Sequence, residues 1–105
     1  MTNIKDFEIS HDHPCLAGHF PNNPIVPAVV ILDEISSVII QVHSNYRIHS
    51  FLNVKFLQPL KSGQNVSVKL EEKVKIDNNC SKLKFSGTYD GVIIAQGQVK
   101  LEELH

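Results

Sequence analysis

One apolar helical stretch, Ala28 to Val42, is followed only by segments of period two, and this contrast limits the possible folds more than any other feature of the chain. Ala28, Leu32, Ile35, Ile39 and Val42 recur at helical spacing on one face. Val29, Val30, Ile31, Val38 and Ile40 widen the stripe to most of the circumference. A helix apolar nearly all round must be buried, and with no second helix in the pattern the wrapping layer has to be a sheet. Pro27 stands where a proline opens a first helical turn, so the spacing predicts a helix over about 27–43. Asp33 lies beside Val29 and Ile40 on the flank of the apolar stripe, whereas Glu34 falls with Gln41 on the more polar side.

Strands are predicted over about 3–10, 46–58, 64–76, 81–89 and 92–102. Alternation puts Ile48, Leu52, Val54 and Phe56 on one face of the second, and Val66, Val68, Leu70, Val74 and Ile76 on one face of the third. Leu83, Phe85 and Tyr89 mark the next, and Ile93, Ala95, Val99 and Leu101 the last. Asp90-Gly91 between the last two has the residues of a two-residue hairpin turn. The pattern is α+β: one domain over residues 1–105, with an antiparallel sheet around one central helix.

A chain of 105 residues that is 42% hydrophobic can build one core, though so small a domain gains from self-association. A net charge of −1 argues against a nucleic-acid binder. No apolar run approaches a membrane span and residues 1–10 lack a signal-peptide core, so no membrane role is expected and the cytoplasm is the simplest location. Cys15 and Cys80 stand in dissimilar contexts and imply no disulfide framework. His11 and His13 with His19 invite a metal reading, but no cysteine or acid completes a ligand set, so no metal is expected. Nothing in the sequence places a base beside Cys15 to make it a nucleophile.

The segment before the helix, HDHPCLAGHFPNNPIVP, holds three of the six histidines and four of the five prolines. Prolines 14, 21, 24 and 27 fix φ and remove donors, giving a stiff loop without regular structure. Long ordered loops in small domains are usually functional.

Gly18-His19-Phe20-Pro21, then Pro24 and Pro27, then an acid at 33 resembles the FabA/FabZ-type 3-hydroxyacyl-(acyl-carrier-protein) dehydratases. Those share G-H-F-x-x-x-P-x-x-P-G followed by a helix bearing Glu or Asp. The short chain looks most like small, divergent members of the group, such as those of aryl-polyene pathways. The resemblance implies a hotdog fold and removal of water from a (3R)-3-hydroxyacyl thioester to give a trans-2-enoyl thioester, with no cofactor. It implies His19 as base and Asp33, desolvated on its apolar flank, as acid. The backbone N–H of Ala28, at the positive end of the helix, would polarise the thioester carbonyl. Phe20, Val26 and Phe56 would wall the acyl tunnel, with Pro27 and Ser37 also at the substrate. The family further implies a homodimer in which each site takes its histidine from one chain and its acid from the other, and acyl carrier protein as the substrate-bearing partner.

Three positions depart from the family pattern. Ala28 replaces the glycine after the second proline, Ser37 stands where glutamine is usual, and Lys61-Ser62-Gly63-Gln64 replaces a Pro-Gly-Asp turn. These departures motivate a non-catalytic subunit that binds acyl groups or carrier protein. A hotdog thioesterase, using the helix acid to direct water, is the competing enzyme; His19 argues against it.

Overall fold

The computed structural model describes residues 3–9 and 25–104. The elements run β1 (Asn3–Glu8), α1 (Ala28–Val42), β2 (Tyr46–Phe56), β3 (Asn65–Leu70), β4 (Val74–Lys75), β5 (Cys80–Tyr89) and β6 (Val92–Glu103). The strands form one sheet in the order β1-β3-β5-β6-β2, antiparallel throughout, with the short β4 also pairing β5. The central ladder β5–β6 closes through Asp90 and Gly91, whose φ values of 53° and 76° are those of a type I′ turn. That turn matches the twist of the flanking strands, and Asp-Gly tolerates its left-handed backbone.

The core lies between the helix and the inner face of the sheet. Ile31, Ile35, Val38 and Ile39 of α1 are buried against Val66, Val68 and Leu70 of β3, Leu83 and Phe85 of β5, and Val99 and Leu101 of β6. Each such aliphatic side chain withdrawn from water contributes roughly 1.5–3 kcal/mol before the entropy of ordering is subtracted.

Burial of α1 is one-sided, which corrects the expectation of a helix enclosed nearly all round. Val29 is 65% exposed and Ile40 37%, and Asp33 and Ser37 between them are also exposed. One sheet covers one face of a helix; the opposite stripe needs something else.

Bulges change which residues face inward. The strand expected over 64–76 is divided: Leu70 pairs with Phe85, but Val74 pairs with Lys82, so residues 71–73 oppose only two residues of β5. One extra residue inverts the alternation. Val66, Val68 and Leu70 point into the core, whereas Val74 and Ile76 are 66% and 46% exposed.

β2 carries two such irregularities, between Ile48 and Ser50 and between Leu52 and Lys55, the second at Asn53 with φ 53°. Phe51 therefore pairs with buried Val99 and packs edge-on against Phe85 at 5.9 Å between ring centroids. Leu52, expected on the inner face, pairs with Gln98 on the outer one. Val54 and Phe56 return to the inner side, Phe56 opposite the buried Ala95.

Short tethers fix the start of α1. The Val26 amide donates to the Leu60 carbonyl at 2.8 Å, and Ile25 bridges Lys61, which ties the segment entering the helix to the segment leaving β2. This strand order around a single helix is the hotdog fold.

Candidate active site

α1 begins without a side-chain cap: Pro27 is the N-cap residue and no acidic residue lies in the first turn. Proline has no side-chain acceptor, so it cannot itself cap the first helical amides. Among the described residues, backbone bonds occupy the amides of Val30 and Ile31, both to the Pro27 carbonyl, and none takes up that of Ala28. Among the described residues, nothing takes up the amide at the positive end of the helix dipole, at Ala28.

An apolar cleft of about 290 Å³ lies against this end, lined by Val26, Ala28 and Ile31 from the helix side and Phe56, Leu57 and Leu60 from the strand side. Of these, Val26 is buried at 3% exposure and Phe56 is 41% exposed. The tether from Val26 to Leu60 holds the two sides together. Three residues singled out in the sequence, Val26, Ala28 and Phe56, thus meet in one place, and Pro27 borders them at the helix cap.

Asp33 and Ser37 do not join them. They lie on the exposed stripe of α1 with Val29 and Ile40, and neither lines the cleft. Helical geometry explains the separation: at about 100° per residue, Asp33 is rotated by roughly 200° from Ile31, which faces the cleft. Asp33 is exposed on this chain, so the desolvation expected from its apolar flank is not supplied by the chain itself. Glu34, on the helix surface beside it, is half-buried. His19 and Phe20, like Gly18, Cys15, His11 and His13, lie outside the described residues. Among the described residues no cluster of histidine, cysteine and carboxylate side chains could hold a metal ion.

Ile31, Leu57 and Leu60 line the cleft without having been singled out. Ile31 was legible in principle, standing three residues after Ala28 on the same helical face. Leu57 and Leu60 were not, because only the tether to Val26 brings the end of β2 to the helix.

The fold and the open cleft at the helix terminus define a hotdog-class protein. A family model described as ApeI-like, ApeI dehydratase, matches residues 2–98, and the chain belongs to that family. The 3-hydroxyacyl-(acyl-carrier-protein) dehydratase FabZ of Brucella ovis is 30% identical over 107 residues, which cover 93% of this chain and 66% of that one. The chain thus spans about two thirds of the length of the curated relatives it matches.

Among solved structures, the dehydratase heterocomplex ApeI:P from Xenorhabdus doucetiae superposes with a TM-score of 0.77 at 22% identity, covering 97% of this chain and 88% of that chain. An acyl-CoA hydrolase mutant from Staphylococcus aureus, solved with coenzyme A, superposes at 0.75 with 14% identity, covering 99% and 65%. At such identities the structural likeness speaks for the fold alone, which dehydratase and hydrolase share. No helix among the described residues is long and apolar enough to cross a membrane.

Proposed function

We propose that the chain dehydrates a (3R)-3-hydroxyacyl thioester, presented on acyl carrier protein, to the trans-2-enoyl thioester. The observation that carries the reading is the start of α1, where Ala28, its amide unclaimed among the described residues, lines the cleft. A thioester carbonyl placed at Ala28 would meet an oriented N–H with the helix dipole behind it, and an acyl chain would find apolar walls in Val26 and Phe56.

In this mechanism neutral His19 removes the proton from the carbon next to the carbonyl. The electron pair moves onto the carbonyl oxygen, where the Ala28 N–H stabilises the enolate. As the enolate collapses, the bond from C3 to the hydroxyl oxygen breaks and the Asp33 carboxyl donates its proton, so water departs. His19 is left protonated and Asp33 ionised; proton exchange with solvent restores both. No metal or organic cofactor enters.

The acid must come from a second copy, because Asp33 faces away from the cleft of its own chain. Two observations support such a pairing. Val29 and Ile40 leave apolar surface beside Asp33 that a covering subunit would bury. β2, eleven residues long, pairs only with β6 among the described residues and offers its other edge. The covering subunit would also take Asp33 out of water, as a proton donor at neutral pH requires.

The test is to incubate the protein with a 3-hydroxyacyl carrier-protein thioester, and separately with its enoyl product, and follow gain or loss of one water by intact-mass spectrometry. Interconversion in both directions, abolished by His19→Ala and by Asp33→Asn, is the expected result. Release of free carrier protein would replace the reading with a thioesterase. Binding without turnover would leave a non-catalytic subunit.

A further inference from the structure

The outer face of the sheet, opposite α1, gathers lysines at its centre, with the Asp6 and Glu102 carboxylates in the flanking rows. Lys82 of β5 pairs directly with Lys100 of β6, Lys84 stands two residues along β5 on the same face, and Lys55 and Lys69 end a neighbouring cross-strand row through Gln96 and Ser86. Half of the chain's ten lysines and arginines thereby share one face. Like charges directly opposite in a ladder, roughly 5 Å apart at Cβ, destabilise the pair. Among the described residues none of these five lysines makes a close ion pair, although, after the Asn79 and Cys80 amides, the Lys100 ammonium helps to hold the Asp77 carboxyl below its ordinary pKa; the close ion pair shown joins Arg47 to Glu102.

The bulge at residues 71–73 adds apolar surface to the same face. By inverting the alternation it turns Val74 and Ile76 outward, and they line a groove of about 670 Å³ with Lys75, Lys82 and Lys84 at its rim. The groove is larger than the cleft beside Ala28 and shares no residue with it. Glu71 and Glu72 border it as well and give it one acidic side. A bulge that exposes two aliphatic side chains beside Lys82 and Lys84 costs stability, and the cost falls if a partner covers them.

We propose that this groove docks an acidic, amphipathic segment of another protein, with its apolar side chains on Val74 and Ile76 and its carboxylates toward Lys82 and Lys84. The size of the charged patch favours a short acidic segment over an extended polyanion. A nucleic acid or an anionic membrane would reach past the lysines to a chain whose net charge is −1. The site lies across the sheet from the candidate active site, and the inference does not depend on the dehydratase reading.

The probe is a fluorescently labelled synthetic peptide of leucine and glutamate in amphipathic helical order, with a scrambled peptide of the same composition as control, read by anisotropy on the full chain. Expected are binding of the ordered peptide that weakens as salt rises, and a loss of at least about tenfold in Lys82→Glu/Lys84→Glu. Val74→Thr, which leaves every charge in place and is tolerated in a strand, is expected to weaken binding as well, and circular dichroism should show both variants folded. Equal binding of both peptides, no binding, or binding indifferent to both variants would overturn the proposal. Preferential capture by phosphatidylserine vesicles would assign the face to a membrane instead. A self-association lost in Lys82→Glu/Lys84→Glu would assign it to a second copy, and either result would likewise overturn the proposal.

Discussion

Ile31 and Asp33 stand two residues apart on α1 and look in nearly opposite directions: Ile31 is 3% exposed and lines the cleft at the helix start, whereas Asp33 lies on the open stripe between Val29 and Ile40. Rotation of about 100° per residue makes this unavoidable in any regular helix. In the proposed mechanism, which uses both the cleft and the acid, the acid would therefore come from a second chain.

Complementation tests that arrangement. His19→Ala and Asp33→Asn, each inactive alone, are expected to regain activity when unfolded together and refolded as a mixture. Random pairing makes half of the dimers hybrid, each with one intact site, so about a quarter of the wild-type activity should return. Sites contained within single chains would return none.

Gly97 is a packing requirement. A Cβ there would lie 2.9 Å from the Val54 Cα and 3.1 Å from the Phe85 Cζ, and Phe85 is already fixed edge-on against Phe51. The Val54 backbone cannot give way as a flexible side chain would. Gly97→Ala is expected to cost about 1–3 kcal/mol in urea unfolding.

Gly91 tests the opposite cause, because nothing lies within 4 Å of its would-be Cβ while its φ is +76°. Gly91→Ala is therefore expected to cost about 1 kcal/mol through backbone conformation alone. No cost at all would contradict the positive φ of the type I′ turn.

His43, at the C-cap of α1, has a buried Nε2 with no hydrogen-bond partner among the described residues, and its ring meets Tyr46 edge-on at 6.2 Å. Burial, and then the nearby Lys73 ammonium, hold its pKa below the ordinary 6.5. The unfolded chain then binds this proton at higher pH than the folded one. The stability that neutral His43 supplies is complete above about pH 6.5 and is lost as pH falls from there toward the lowered folded value. His43→Phe, which keeps a ring against Tyr46, is expected to flatten that part of the pH–stability curve measured by urea unfolding. An unchanged slope would show that other groups cause it.

Ile35, fully buried on the sheet-facing side of α1, tests the core directly. Ile35→Ala is expected to cost about 2–5 kcal/mol, a large share of what a domain of this size can hold. Val29→Ala, on the open stripe, should cost the isolated chain little and weaken association instead.

Periodicity and turn chemistry were enough to read one helix, the antiparallel strands and the Asp90-Gly91 hairpin, because these depend on spacing and local backbone preference. The spacing of Gly18, His19, Phe20, Pro21, Pro24 and Pro27 was likewise enough to recognise the family. Tertiary structure decided the rest. Val74 and Ile76 continue the even-numbered apolar pattern of Val66, Val68 and Leu70, yet one bulged residue turns them outward, and Leu52 and Phe51 exchange faces in the same way. A bulge is a matter of register between two strands, which alternation within one strand does not encode. The helix, apolar nearly all round in sequence, is covered on one side because a single sheet offers a single face. The cleft exists because the Val26 amide reaches the Leu60 carbonyl across 33 intervening positions, a contact that only the folded chain can make.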